Sequence, residues 1–301
     1  TSSCRINYNS KTRYSLIHPL IIMTRLFTTY RTLESRPDSY QDWYQQANLL
    51  KEREDYQEAL LSYEKALEYY PSDYWAWYKR GMTLEQLGRY EEAAMSYRYA
   101  SQMRPHNYWA WYDCGCVYLE NLQEYSQAIF CFEQALAVNP DDYWSFYRKG
   151  EASRLSGNFA DAIVCYNQAL ELRPGDYWSW YRKGDAFKAS GNLEEALNNY
   201  QKAFDLKPGD YWALYQQGVI LQELGRLQEA VKYYAQALEI EIDDDYAWYN
   251  QACCYASLGQ NEQALNSLEE AIYFYPQIYL SLAQTNPVFE ELRQEQRFDE
   301  L

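Results

Sequence analysis

The chain has 301 residues, a formal net charge of −16, and an unusually aromatic composition with 34 tyrosines and 10 tryptophans. The charge is uneven, because residues 1–36 carry six basic side chains against one acidic side chain and the remaining residues therefore carry −21. Nucleic-acid phosphates and anionic lipid surfaces would repel so acidic a body, which argues against DNA, RNA or membrane-surface binding.

The first 39 residues are predicted to be a tail outside the fold. They are rich in Ser, Thr and Arg and hold no acid before Glu34, a composition also found in organelle transit peptides. The preferred explanation of this composition is a disordered tail, or a native start at Met23 that would make residues 1–22 foreign to the native protein. The apolar stretch Leu16–Phe27 is interrupted and too short to cross a bilayer. We therefore expect a cytoplasmic protein, or a stromal or matrix protein if residues 1–33 are a transit peptide.

From residue 40 onward the chain repeats itself about every 34 residues. The units begin at Tyr40, Tyr74, Tyr108, Tyr143, Tyr177, Tyr211 and Asp245. Numbered from each start, position 4 is a large apolar residue, position 8 is Gly or Ala, and positions 20 and 27 are always Ala. Small residues let two helices approach closely while large rings fill the flanks, so each unit is predicted to be a helical hairpin. The third unit has one extra residue, expected in its inter-helix turn near Asn121–Glu124.

Turn and cap residues recur in the same register. Five units have Gly at position 15, which predicts a left-handed C-cap between the two helices. Pro at position 32 is expected to stop the second helix, and an Asp or Asn two residues later is expected to cap the next first helix. The sixth unit has Ile242 in place of Pro, which suggests a looser junction before the seventh.

This pattern resembles the tetratricopeptide repeat (TPR) family over about residues 40–278. The resemblance implies an all-α, right-handed α-solenoid of about seven hairpins with a concave groove. The predicted units are 40–73, 74–107, 108–142, 143–176, 177–210, 211–244 and 245–278. Asn286-Pro287 is expected to start a capping helix carrying Phe289 and Leu292 within residues 279–301.

All ten tryptophans lie at position 2 or 4 of a unit. On a helix, position 4 belongs to the core stripe, whereas positions 2 and 5 lie on the nearly opposite stripe, which by resemblance to the family lines the groove. Aromatic rings there could bind a peptide or an amphipathic helix, or could stack on one another and only stiffen the solenoid. The predicted groove residues are Trp75, Tyr78, Trp109, Tyr112, Trp144, Tyr147, Trp178, Tyr181, Trp212 and Tyr215.

Basic residues at position 6 suggest a second surface. Lys79, Arg148 and Arg182 could form a basic strip for an acidic partner, or could be solvated cations whose stems pack along the helix. Some TPR proteins bind a C-terminal carboxylate through Lys, Asn and Arg at groove positions, but aromatic residues at positions 2 and 5 disfavour that mode here.

No catalytic or metal-binding constellation can be assembled from the sequence. One of the two histidines lies in the tail and the other in a predicted turn, and the seven cysteines lack a metal-ligand spacing. The chain is therefore expected to be a non-enzymatic scaffold or assembly factor that binds protein and needs no cofactor. Two alternatives stay open: a binder of carbohydrate or hydrophobic small molecules using the same rings, and a regulatory subunit of an enzyme on another chain. The oligomeric state is not predicted.

Overall fold

The computed structural model describes residues 38–301, which contain fifteen α-helices and no strand. The predictions for the tail, including the transit peptide and the start at Met23, lie outside the described residues. By packing, the chain divides into two compact units, one ending at Gly88 and the other comprising Arg89–Leu301.

The first unit contains three helices in its described part. They are α1 (Tyr40–Glu52), α2 (Tyr56–Tyr69) and α3 (Tyr74–Gln86). Helix α2 packs against both α1 and α3. The core between α1 and α2 is formed by Ala47, Ala59 and Tyr63, none of which is exposed to solvent.

The second unit contains twelve α-helices in sequence. They are α4 (Tyr90–Met103), α5 (Tyr108–Cys116), α6 (Tyr125–Val138), α7 (Tyr143–Leu155), α8 (Phe159–Leu172), α9 (Tyr177–Ala189), α10 (Leu193–Leu206), α11 (Tyr211–Glu223), α12 (Leu227–Ile240), α13 (Asp245–Ser257), α14 (Asn261–Phe274) and α15 (Pro276–Thr285). Each helix packs on the next along the chain. The odd-numbered helices α5 to α13 are the first helices of their hairpins.

Four hairpins of the second unit are closed by a glycine that faces an aromatic ring. A Cβ added at Gly150 of α7 would lie 2.8 Å from Tyr166 of α8, and one at Gly184 of α9 would lie 2.9 Å from Tyr200 of α10. The alanines at positions 20 and 27 are fully buried in every unit. The small residues thus create the close approach that the sequence predicted, although the partner of position 8 is the ring at position 24 rather than an alanine.

The predicted caps are present. Gly157 and Gly191 have φ values of +83° and +81° between the two helices of their hairpins, and Gln123 adopts a φ of +57° at the equivalent place. The carboxylates of Asp142 and Asp176 accept hydrogen bonds from the backbone N–H three residues on, which satisfies one of the unpaired donors at a helix N-terminus.

Two details of the repeat differ from expectation. The extra residue of the third unit is taken up by a π-helical end of its first helix, Val117–Leu122, before the turn is reached. The junction at Ile242 is not looser than the others. Helix α12 ends two residues before Ile242, just as α8 ends two residues before Pro174. The indole of Trp248 donates to the Ile242 carbonyl at 2.8 Å, and that of Trp180 donates to the Pro174 carbonyl at 2.9 Å.

The C-terminal cap is also built differently. The capping helix begins at Pro276, which has no N–H to lose at a first helical position, and it ends at Thr285. Asn286-Pro287 starts only a single 3-10 turn, Pro287–Phe289, and two further 3-10 turns follow. Phe289 and Leu292 are nevertheless buried against the last hairpin, so the segment covers its apolar end as a cap must.

Candidate functional site

The tryptophans fall into two structural classes. Of those at position 4, Trp111 stands edge-on to Phe130 of the second helix at 6.0 Å. Trp180 and Trp248 donate their indole N–H to the backbone carbonyl of the preceding junction. Those at position 2 project outward. In the second unit these are Trp109, Trp144, Trp178 and Trp212, hereafter the tryptophan row, with exposed fractions of 56%, 47%, 43% and 53%.

Each member of the row stands edge-on to the tyrosine before it. The Trp144 and Tyr143 ring centroids are 5.0 Å apart with an interplanar angle of 74°, and the Trp178 and Tyr177 rings are also 5.0 Å apart at 81°. The ring contacts of the four row tryptophans are with tyrosines of their own helices, so within the described residues no tryptophan of the row stacks on another. Trp75, in the first unit, is 42% exposed and stands edge-on to Tyr74 and Tyr78 in the same way.

The tyrosines at position 5 support the row from behind. Tyr143 and Tyr147 are stacked with centroids 6.1 Å apart, and Tyr177 and Tyr181 are stacked at 5.8 Å. Tyr181 is only 7% exposed. The other predicted groove tyrosines, Tyr78, Tyr112, Tyr147 and Tyr215, are half-buried. Within each first helix, the structure therefore places the predicted tryptophan and the predicted tyrosine against the same position-1 tyrosine, and the tryptophan offers most of the accessible ring surface.

The tyrosines at position 1 fix the row relative to the next repeat. The Tyr108 hydroxyl donates to Asp142 at 2.7 Å, and the Tyr177 hydroxyl donates to Asp210 at 2.6 Å. Each of these aspartates is the N-cap of the following first helix. Burial, together with the adjacent Asp210 carboxylate, raises the pKa of Tyr177 well above its ordinary value, so the phenol remains a hydrogen-bond donor at neutral pH. This bond was not predicted from the sequence, although a tyrosine at position 1 and an aspartate just before the next repeat recur with the same spacing.

The predicted basic strip is not a row of free cations. Arg148 lies 2.6 Å from the Glu120 carboxylate, and Arg182 lies 3.0 Å from Asp185 and 3.7 Å from Glu151. Burial by itself would lower the pKa of the Arg148 guanidinium, but Glu120, Cys116 and Tyr112 together outweigh burial and the net shift is upward. In the first unit, Lys79 donates to the side-chain oxygen of Asn48 at 2.8 Å. These three cations therefore join neighbouring repeats.

One cation beside the row has no carboxylate partner. Arg173, the residue after α8, places its guanidinium carbon 4.1 Å from the Tyr143 ring centroid and 5.5 Å from the Trp144 ring centroid. It is exposed and forms no ion pair with any residue of 38–301. Sequence reasoning did not single out Arg173. Its signal was the basic residue at position 31 in three units, Arg104, Arg173 and Lys207.

The cysteines are packed inside the hairpins. Cys114, Cys131, Cys165, Cys253 and Cys254 are buried, and all six in the described residues are free thiols. Burial raises the pKa of Cys165 to about 11 and that of Cys253 to about 11, so both are protonated at neutral pH. Within residues 38–301 no group of His, Cys, Asp and Glu side chains is placed to hold a metal ion. None of the helices described is long and apolar enough to span a bilayer.

Comparison with protein families identifies the repeat. Six models, each described as a tetratricopeptide repeat or TPR repeat, match overlapping segments of the chain, which together run without a gap from residue 44 to residue 277: 44–108, 84–150, 143–176, 165–198, 184–225 and 210–277. The chain belongs to the tetratricopeptide repeat family. A comparison with curated proteins gave no match to this TPR chain.

Solved TPR structures share the fold. The C-terminal part of a TPR repeat-containing protein from Cytophaga hutchinsonii has a TM-score of 0.65 at 18% identity, covering 77% of this chain and 95% of its own. YrrB, described as a TPR protein with an unusual peptide-binding site, has a TM-score of 0.54 at 20% identity, covering 67% of this chain and 100% of its own. PilW, described as a type IV pilus biogenesis factor, has a TM-score of 0.51 at 24% identity, covering 66% of this chain and 92% of its own. At these identities the likeness concerns the fold alone.

Proposed function

We propose that this TPR protein is a scaffold or assembly factor that binds a segment of a client protein on the tryptophan row of Arg89–Leu301. The observation that supports this most strongly is the exposure of four indole rings at the same position of four consecutive repeats, each between 43% and 56% exposed. Tryptophan offers a large apolar surface at low entropic cost and is enriched among the residues that dominate binding energy at interfaces.

The position of the row within the fold also supports binding. Trp144 and Trp178 lie at the starts of first helices that are hydrogen-bonded to an adjacent repeat, because the N-cap Asp142 accepts from Tyr108 and Tyr177 donates to Asp210. The rings are therefore held on a rigid frame before a client arrives, which lowers the cost of ordering them on binding. YrrB, which shares this fold, is described as having a peptide-binding site, and PilW is described as a biogenesis factor.

The proposed role is non-catalytic. We place the protein in the cytoplasm. We propose a protein rather than a nucleic acid as its partner, because the acidic charge that residues 37–301 carry would repel phosphates. A carbohydrate or hydrophobic small molecule is the competing ligand for the same rings, and it would be identified by binding to the row in the absence of any client protein.

Affinity purification from the source cell, with matched variants, tests the proposal. The row variant changes Trp109, Trp144 and Trp178 to Ala. The control variant changes three exposed apolar residues of the second helices, Met95, Phe130 and Val164, to Ser, which are 50%, 44% and 58% exposed. Both variants are first shown to be helical by circular dichroism.

The expected result is a stoichiometric client that is retained by the full chain and by the control variant and is lost from the row variant. A client retained by the row variant and lost from the control variant would move the binding surface to the second helices.

A further inference from the structure

We infer that the tryptophan row recognises a proline-rich segment in the polyproline II conformation that carries an acidic residue beside Arg173. The inference rests on the proposed function and specifies the chemistry of the client segment. It depends on the hydrogen-bonding capacity of the row, on the spacing of the helices that carry it, and on Arg173, a cation beside the row that has no carboxylate partner within residues 38–301.

The indole rings of the row offer hydrogen-bond donors and no acceptors to a ligand. The indole N–H groups of Trp109, Trp144, Trp178 and Trp212 form no hydrogen bond within the described residues, in contrast to those of Trp180 and Trp248. An indole can only donate. The neighbouring phenols of Tyr108 and Tyr177 donate to aspartates of the next repeat, so their O–H groups are not free to donate to a ligand.

A ligand that fits such a surface supplies carbonyl oxygens and brings few N–H groups that would be left unpaired. Proline has a backbone carbonyl and no N–H, so a proline-rich segment meets both conditions. Its pyrrolidine rings also pack well against aromatic rings, and the polyproline II helix is formed before binding, so little conformational entropy is lost.

The spacing of the first helices, which carry the row, favours the same conformation. First helices of neighbouring repeats contact each other directly, α7 with α9 and α11 with α13. Helices in direct contact lie about 8–10 Å apart. A polyproline II chain rises about 3.1 Å per residue with about three residues per turn, so one face recurs about every 9 Å. The same face recurs about every 5.4 Å on an α-helix and about every 6.6 Å on a β-strand.

Arg173 adds a charge preference. Its guanidinium is held over the Tyr143 ring at 4.1 Å and near the Trp144 ring at 5.5 Å, exposed and without a carboxylate partner. The neighbouring cation Lys207 differs, because it forms a 2.6 Å ion pair with Asp210. A carboxylate on the ligand next to Trp144 would give Arg173 the charge-assisted hydrogen bond that the fold leaves unmade.

Calorimetry with three synthetic peptides and the full chain tests this inference. The probes are a proline peptide with one central glutamate, its glutamine analogue, and an amphipathic Leu/Lys/Glu helix of equal length. The protein variants are Trp144→Ala with Trp178→Ala, Arg173→Gln, and Lys232→Gln. Lys232→Gln is the control because it removes one exposed positive charge from a second helix.

The glutamate peptide is expected to bind most tightly and to lose at least tenfold in affinity when the two tryptophans are replaced. Arg173→Gln should weaken the glutamate peptide about tenfold, the effect of one charge-assisted hydrogen bond, and should leave the glutamine peptide unchanged. Lys232→Gln should change neither.

Three results would overturn the inference. They are tighter binding of the helical peptide at the row, equal weakening of both proline peptides by Arg173→Gln, or no binding of either proline peptide. If one of these occurs while the row variant still loses its client, the proposed function stands and only the polyproline assignment fails. If the row variant keeps its client, the proposed function fails first.

Discussion

Tyr177 and Asp210 are joined by a 2.6 Å hydrogen bond from the phenol of one repeat to the carboxylate that starts the first helix of the next. Asp210 also accepts from the backbone N–H of Ala213 at 3.1 Å and from Lys207 at 2.6 Å. Burial alone would raise the pKa of Asp210, but these donors hold it below its ordinary value. One side chain therefore links a helix cap, an ion pair and the position of the tyrosine that supports Trp178.

Replacing Asp210 by Ala is expected to destabilise the protein by about 2–3 kcal/mol, because a helix cap is lost and a half-buried phenol loses its acceptor. Tyr177→Phe should cost about 1 kcal/mol. In urea unfolding, the double variant should be less destabilised than the sum of the two single variants by about 0.5–1.5 kcal/mol. Additive effects would show that the bond contributes nothing.

Gly184→Ala is expected to destabilise the protein by about 1–3 kcal/mol, because the new Cβ would lie 2.9 Å from the buried Tyr200 ring and the hairpin would have to open. Gly175→Ala is the matched control. No atom lies within 4 Å of the Cβ that it would add, so its effect should be neutral or slightly stabilising. Equal thermal unfolding curves for the two variants would contradict the close-packing account.

Trp180 and Trp178 lie in the same helix and are expected to respond differently to replacement by Phe. Trp180→Phe removes the 2.9 Å bond to the Pro174 carbonyl and should cost about 1 kcal/mol of unfolding free energy. Trp178→Phe removes only an exposed indole with an unpaired N–H and should change stability by less than about 0.5 kcal/mol. A larger loss for Trp178→Phe would assign the row a structural role.

Alkaline pH is expected to destabilise the fold. Burial raises the pKa of Tyr147 to about 12, that of Tyr215 to about 12 and that of Cys165 to about 11. In the unfolded chain these groups ionise near pH 8.5–10, so above about pH 9 the folded state binds more protons. The contribution of these groups to the free energy of unfolding is therefore fully present below about pH 8.5. For each group it falls by about 1.4 kcal/mol per pH unit between its pKa in the unfolded chain and its pKa in the folded chain.

Urea unfolding at pH 8 and at pH 10.5 checks this, with tyrosinate absorbance to follow ionisation. Equal unfolding free energies at the two pH values would show that these groups are not protected by the fold.

Much of the fold follows from local rules that a single sequence displays. The spacing of Gly150 and Ala162, the glycines between helices and the capping aspartates each act within one repeat, so their structural consequence can be read from composition and position. The placement of an extra residue cannot be read that way, because a turn and a π-helical end at Val117–Leu122 are both compatible with the sequence. Pro276 ends the preceding helix as predicted, but the sequence does not show that it also begins the capping helix, since proline is compatible with both roles.

The site was less predictable than the fold. Helical periodicity places positions 2 and 5 on one stripe, but it does not say that Tyr181 is buried while Trp178 is exposed, because that depends on packing against Tyr200. The number and positions of charged residues in the sequence also do not show that Arg173 is unpaired while Arg148 is paired. The difference between an unpaired and a paired guanidinium arises from tertiary distances to carboxylates such as Glu120.

Site-specific photo-crosslinking in the source cell tests the central claim most directly. A photoreactive phenylalanine analogue is placed in turn at Trp144, at Trp178 and, as control, at the exposed Val164 of the second-helix face. One discrete client protein is expected to crosslink from Trp144 and from Trp178 and not from Val164. A client that crosslinks from Val164 while neither row position yields a product would contradict the assignment of the tryptophan row as the binding surface.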